Sequence, residues 1–207
     1  MADYNLLTEA WSGAVSKARD PWGNIITEID EPAGWRAFWR DGGGYLRPEM
    51  LRIDKSNPNY LAPVNRLNPA GYGLKAFKQW GVIDSGWYRQ IAIPAGITLL
   101  VAELTGHAWY SQADDPTKSV YKNSSGAWLP VDGGMRLWVG IDPTGGTNFL
   151  ADSVQWAWGE YFDAHGRVIL NVPYPGPLAT LFVLADNDYG FRHVDAYFAS
   201  ATLTGHS

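Results

Sequence analysis

Met135-Arg136-Leu137-Trp138-Val139-Gly140-Ile141, a turn at Asp142-Pro143-Thr144-Gly145-Gly146, and then Val154-Gln155-Trp156-Ala157-Trp158 form the stretch whose reading decides the fold class. Side chains of a strand alternate between its two faces. Leu137, Val139 and Ile141 therefore share one face and Trp138 takes the other, while Val154, Trp156 and Trp158 fall together. Leu137, Trp138 and Val139 cannot all enter one core. Either this strand is buried on both faces or Trp138 looks out of the fold.

The same alternation extends in both directions. Strands are predicted at Asn24 to Ile29, Gly34 to Arg40, Leu74 to Trp80, Gly86 to Ile93, Thr98 to Trp109, Met135 to Ile141, Val154 to Tyr161, Val168 to Val172, Ala179 to Ala185 and Asp195 to Thr204. Turn chemistry separates them, as at Asp41-Gly42-Gly43-Gly44, Pro94-Ala95-Gly96 and Asp132-Gly133-Gly134. Gly or Pro interrupts nearly every window long enough to show a helical period. The exception is Leu6 to Arg19, where a short helix is expected with a break at Ser12-Gly13. About ten strands parted by turns predict an all-β, two-sheet antiparallel β-sandwich, as a single domain over residues 1–207. Two long polar stretches, Pro48 to Asn68 and Ser111 to Pro130, are expected to be the loops that carry binding.

Composition narrows the function classes. The formal net charge is -5 and no basic run exists, so the footprint needed to neutralise phosphates is missing and nucleic acid is not an expected partner. No run of about 18 apolar residues occurs, which argues against membrane insertion by a helix. Met1-Ala2-Asp3-Tyr4-Asn5 lacks the basic and apolar regions of a signal peptide, as in a virion protein or a trimmed extracellular piece. Cysteine is absent, which removes disulfides, thiolate metal sites and cysteine nucleophiles. The outlying feature is aromatic content, with 11 Trp, 11 Tyr and 7 Phe, more indoles than a sandwich core needs.

The run Gly140-Ile141-Asp142-Pro143-Thr144-Gly145-Gly146-Thr147, followed by Val154-Gln155-Trp156, resembles a signature of bacterial and phage carbohydrate-binding-module-like jelly-roll domains. Further pieces follow in the same order across nearly the whole chain, among them Gly34-Trp35, Arg47-Pro48-Glu49, Tyr88-Arg89-Gln90 and His193-Val194-Asp195-Ala196-Tyr197. The resemblance implies a jelly roll that binds glycans. It also implies a structural calcium held by an acidic residue near the N-terminus, for which Glu9 is the candidate, and an Asp in the last strand. Ala199 stands where that Asp is expected, and losing a carboxylate removes both charge and a ligand. The balance therefore goes against calcium, and no cofactor is expected.

Sugar binding needs a flat aromatic face under the C–H face of a pyranose and planar polar groups for its hydroxyls. The candidate platforms are Trp39, Trp109, Tyr110, Trp128 and Trp158, with Arg47, Glu49, Gln112 and Asp114 as polar partners. Trp109-Tyr110 stands out because it joins a strand to a polar loop, so at least one ring is expected to leave the core. Trp35 and Trp39 share a face that reads as core, which leaves Arg36 and Arg40 on an ordinary solvated face. Glu103, Glu160 and Asp163 show no motif that would pair two of them as hydrolytic carboxylates. The four histidines show no metal-binding spacing, and no Gly-x-Ser-x-Gly elbow occurs. The residues thus point to a non-catalytic domain that binds a polysaccharide or surface glycan. The alternative is a structural or decoration protein of a phage virion, assembling on a capsid or with like subunits through its aromatic surface while still able to bind host-surface glycans.

Overall fold

Period-two burial is what organises the molecule. In a computed structural model, which describes residues 2–55, 71–111, 120–122, 124–130, 134–161 and 164–207, and of residues 111, 120–122 and 128–130 the backbone, the described chain is β-strand and connection without helix. In chain order the strands are β1 (Asp3–Glu9), β2 (Val15–Arg19), β3 (Ile25–Pro32), β4 (Arg36–Trp39), β5 (Glu49–Asp54), β6 (Tyr72–Lys78), β7 (Asp84–Ala92) and β8 (Leu99–Ser111). They continue as β9 (Val120–Lys122), β10 (Trp128–Pro130), β11 (Met135–Asp142), β12 (Gln155–Gly159), β13 (Gly166–Pro173), β14 (Leu178–Asn187) and β15 (His193–His206).

The strands form the expected antiparallel β-sandwich. The larger sheet runs β13-β8-β15-β6-β5-β3-β2, with β1 also on β15. The smaller sheet runs β12-β11-β14-β7-β4, and β9 and β10 pair as a separate hairpin. One parallel bridge, Ile29 to Met50, joins β3 to β5, and the long ladders are antiparallel. Between the sheets, Leu137, Val139 and Ile141 of β11 and Leu181, Val183 and Ala185 of β14 meet Leu100, Ala102 and Leu104 of β8 and Phe198 of β15. Trp87 crosses this core, its ring edge-on to Phe198 at 5.8 Å and its Nε1 donating to the Asp30 carbonyl at 2.7 Å. A buried indole N–H without such an acceptor would lose its desolvation cost unrecovered.

Three expectations are corrected. Leu6 to Arg19 is not a helix but the strands β1 and β2, because β1 finds a long-range partner in β15 and β2 in β3, and tertiary pairing outweighs weak helical propensity. The chain reverses between them at Trp11, fully buried with a φ of 60°. The supposed loop from Pro48 to Asn68 begins with β5, whose Met50 and Ile53 are fully buried. Within Ser111 to Pro130 lie β9 and β10.

The turn after β11 shows why its sequence reads Asp-Pro-Thr-Gly-Gly. The Asp142 carboxylate is buried and takes donors from the Thr144 N–H at 2.8 Å, the Thr144 hydroxyl at 2.7 Å and the Ser153 hydroxyl at 2.8 Å. Gly145 turns at a φ of 79°, a conformation that side chains disfavour, and a Cβ on Gly146 would stand 2.5 Å from Asp142 Oδ2. Burial pushes the Asp142 carboxyl up, but the Thr144, Ser153 and Gly146 hydrogen bonds win and hold it below the usual carboxylate value. One side chain thus closes residues 142–153 into a fixed loop. Asp142→Ala should lower stability by about 1–2 kcal/mol, since three hydrogen bonds to a buried carboxylate are lost while the exposed Thr144 and half-buried Ser153 donors can turn to water. Asp142→Asn should lose less, and a urea-unfolding midpoint unchanged in the alanine variant would refute this role.

Candidate ligand-binding face

Because Leu137, Val139 and Ile141 point into the core, the alternate residues of β11 look outward, and the same holds across the smaller sheet. Its outer face carries Trp138 from β11, Trp156 and Trp158 from β12, Phe182 and Leu184 from β14, Tyr88 from β7 and Phe38 from β4. Of the two arrangements open to Trp138 from sequence, it takes the outward one. This face has its own aromatic cluster, separate from the sandwich core.

The rings interlock. Trp138 lies against Trp158 at 5.6 Å with planes 39° apart and meets the edge of Trp156 at 6.2 Å. Trp156 in turn packs on Phe182 at 5.7 Å. The cross-strand neighbour of Trp156 is Gly140, where a Cβ would stand 2.5 Å from the indole. That glycine is what lets the Trp156 ring lie down across β11. Trp158, on the edge strand, is 51% exposed and is the ring most available to a ligand.

A hollow of about 190 Å³ sits on this face. Trp138, Trp156 and Leu184 line it from the sheet, Phe149 and Leu150 from the loop that Asp142 fixes, and Arg40, Asp84 and Asp186 form its polar end. Phe149 is held by Phe38, 4.4 Å between ring centres. At the polar end Arg40 Nη2 pairs with Asp84 Oδ2 at 2.7 Å. Asp186 takes both Nε and Nη2 of Arg136, at 2.9 and 2.7 Å, and the Trp138 indole N–H at 2.7 Å. Arg136 also reaches Asp188 at 2.8 Å. Fork-to-carboxylate pairing of this kind fixes orientation as well as charge, and through Asp186 it fixes the tilt of the Trp138 platform.

Asp84 and Asp186 are direct cross-strand partners on one face, a like-charge arrangement that needs the two arginines. Burial raises the Asp84 carboxyl to about 6 from its ordinary 3.8; Arg40 pulls it back and the Asp186 charge pushes it further up.

The residues predicted from sequence are dispersed. Trp158 is on this face. Trp109 and Tyr110, expected to release at least one ring from the core, are 1% and 2% exposed. Strand β8 runs on through both of them, so Tyr110 enters the sandwich core and stacks on Phe191 at 5.8 Å, while Trp109 enters a second buried cluster with Ile53, Tyr197 and Ala199. Alternation does send Trp109 out of the sandwich core, but into a covered site. Trp39 packs against the core and gives its indole N–H to Asp41 at 2.8 Å. Arg47 lies 3.8 Å from Glu28, and Glu49 opens β5 on the other sheet. Trp128 begins β10, its side chain outside the described residues, as are Gln112 and Asp114. Arg40, assigned to a solvated face, belongs to the hollow. Trp138, Trp156, Asp84 and Asp186 are on this face and are not among the residues predicted from sequence; the signal for the two tryptophans is Trp138 opposing Leu137 and Val139 in a strand followed by a second strand with alternating tryptophans.

The residues do not fit the calcium that the resemblance implies. Both Glu9 oxygens are engaged, Oε1 by the Trp11 N–H at 2.7 Å and Oε2 by the Trp35 indole at 3.2 Å with Arg89 at 3.6 Å, so a cation would sit beside a guanidinium. The Ala199 side chain offers no ligand, and the described residues contain no group of three or more His, Asp or Glu placed to hold a metal.

No family model matches the sequence, and no curated protein matches it. The fold is similar to that of a family 61 carbohydrate-binding module solved with β-1,4-galactotriose, at 8% identity and a TM-score of 0.50, covering 84% of this chain and 89% of that one. The CBM22-1 xylan-binding domain from Paenibacillus barcinonensis Xyn10C follows at 11% identity and a TM-score of 0.44, over 99% of this chain and 96% of that one. The enzymatically active domain of bacteriophage CBA120 tailspike protein 4 gives 10% identity and a TM-score of 0.47, over 83% of this chain and 19% of that one. The chain thus has a fold like that of carbohydrate-binding modules.

Asp84 gives stability a specific pH dependence. Its folded pKa lies above its unfolded one, so the fold binds this proton more tightly, and its contribution is full below about pH 4 and is lost as pH rises through about 6. The loss is about 3 kcal/mol at most for a shift of this size. In urea unfolding, the stability difference between wild type and Asp84→Asn should change between pH 4 and pH 7, wild type losing ground; a constant difference would contradict the burial argument. Gly140→Ala should displace the Trp156 indole and shift the tryptophan emission without unfolding the chain.

Proposed function

We propose that the chain binds a glycan on the outer face of its smaller sheet and does so without catalysis. The observation that carries this reading is the pair of tilted indoles, Trp138 and half-exposed Trp158, beside a polar end built from Arg40, Asp84 and Asp186. A pyranose presents an apolar C–H face and a rim of hydroxyls, and this surface offers one element for each. The platform is prepared in advance, because Asp186 holds Trp138 and Gly140 seats Trp156. Little ordering cost remains to be met on binding. The likeness of the fold to a carbohydrate-binding module solved with β-1,4-galactotriose supports the same reading.

The placement of the carboxylates supports binding without chemistry. Glycoside hydrolysis uses two carboxyl groups flanking the scissile bond. Asp84 and Asp186 stand side by side on the floor of one sheet, each tied to an arginine. In this reading they orient hydroxyls.

Affinity electrophoresis against soluble polysaccharides, including β-1,4-galactan and xylan, should show retardation by at least one, with a change in tryptophan emission. Trp158→Ala should weaken that binding at least tenfold, consistent with losing about 1.4 kcal/mol or more of stacking. No retardation by any polysaccharide, or retardation unaltered in both Trp158→Ala and Trp138→Ala, would refute the assignment. Reducing-sugar release from the bound polysaccharide should stay at background.

A further inference from the structure

On the opposite side of the sandwich, the outer face of the larger sheet holds a cavity of about 340 Å³ whose chemistry differs from that of the tryptophan face. Its lining includes Lys55, Thr105, Ser200, Tyr72 and His165, and no acidic residue among those described. Lys55 directly follows β5 and is 8% exposed, yet among the described residues it makes no ion pair; its backbone N–H is engaged by the Gly71 carbonyl at 3.0 Å. An ammonium partly shielded from water without a counter-charge carries a desolvation cost that no partner offsets. In a chain with a net charge of -5, that cost is not explained by a shortage of carboxylates.

A β-bulge supplies the second half of the site. The register of β15 on β8 slips between Phe198 and Ser200. Phe198 and Ala201 both enter the core, so the two residues between them, Ala199 and Ser200, face outward together. Without the bulge, strict alternation would turn Ser200 inward. As it stands, the Ser200 hydroxyl meets Thr105 Oγ1 at 2.6 Å. One hydroxyl hydrogen is used between them, and the other is left to donate into the cavity. His165 stands exposed at the rim.

We propose that this cavity binds an oxyanion, a carboxylate, sulfate or phosphate group, with the Lys55 ammonium as its counter-charge and the Thr105–Ser200 hydroxyl pair as a further donor. Such a ligand restores to Lys55 the partner that the fold withholds, through charge-assisted hydrogen bonds. Burial lowers the Lys55 ammonium pKa, as expected of a cation waiting for an anion, and a bound oxyanion would raise it again. The site is independent of the glycan face.

Calorimetric titration of the full chain with sodium sulfate, sodium phosphate and sodium glucuronate, at ionic strength balanced with chloride and with glucose as the neutral control, tests the proposal. Saturable binding of at least one oxyanion and none of glucose is expected. Lys55→Met should weaken it at least tenfold and Ser200→Ala about threefold, while Trp158→Ala leaves it unchanged. Sulfate or phosphate binding as well as glucuronate identifies a free inorganic ion as the ligand; glucuronate binding tenfold more tightly identifies the acid group of a sugar. No saturable binding up to tens of millimolar of any of the three overturns the proposal, as does binding unaltered in the variants. Near-UV circular dichroism checks that Lys55→Met is folded. If it is not, Ser200→Ala decides, since it keeps the lysine and removes a single hydroxyl: binding weakened about threefold supports the site and unaltered binding overturns it.

Discussion

A single buried carboxylate, that of Asp142, converts the end of a core strand into the wall of a binding face. Strand β11 contributes Leu137, Val139 and Ile141 to the core on one side and Trp138 to the outer face on the other. At its last residue the chain must leave the sheet, and the Asp142 oxygens collect donors from both ends of the next eleven residues, Thr144 and Ser153. A loop held at both ends by one rigid residue has little freedom left, so Phe149 and Leu150 arrive over the sheet in a defined place. Core, loop and hollow share one anchor.

The electrostatics of the outer face are arranged around the same economy. Two aspartates meet across β7 and β14, where repulsion would open the ladder, and two arginines stand beside them to prevent it. The pairs are unequal. Asp186 is partly exposed, fully hydrogen-bonded and works as a brace for Arg136 and Trp138, whereas Asp84 is nearly enclosed and holds its proton to unusually high pH. The face therefore presents fixed dipoles to a ligand and little mobile charge.

Much of the fold was legible because alternation and turn chemistry are local signals. Strands β7, β8, β11, β14 and β15 lie within a few residues of the expected spans, each anchored by runs of β-branched or aromatic residues. Three of the missed strands have a common cause: β1, β2 and β5 carry mixed polar and apolar residues, and only their partners in β15, β3 and β6 make them strands. The site was less legible for a related reason. Exposure of an aromatic depends on what covers its face of the sheet, and nothing around Trp109 distinguishes its covered face from the open one around Trp158. Arg40, Asp84 and Asp186 are far apart in sequence and form one polar end only through the β4-β7-β14 pairing order. Alternation says which residues share a face, and sheet order says which faces share a ligand.

The position of β15 carries a consequence for biogenesis. This strand of 14 residues pairs along its length with β8, while its first part also pairs with β6 and its last part with β1. As the chain emerges during synthesis, β1, β6 and β8 are made long before the strand that zips them together. Until residues 193–206 arrive, those three strands present open hydrogen-bonding edges and apolar faces. The larger sheet must close late and over long sequence separations, which sets a slow step in folding and a window in which nascent chains are vulnerable to pairing with one another.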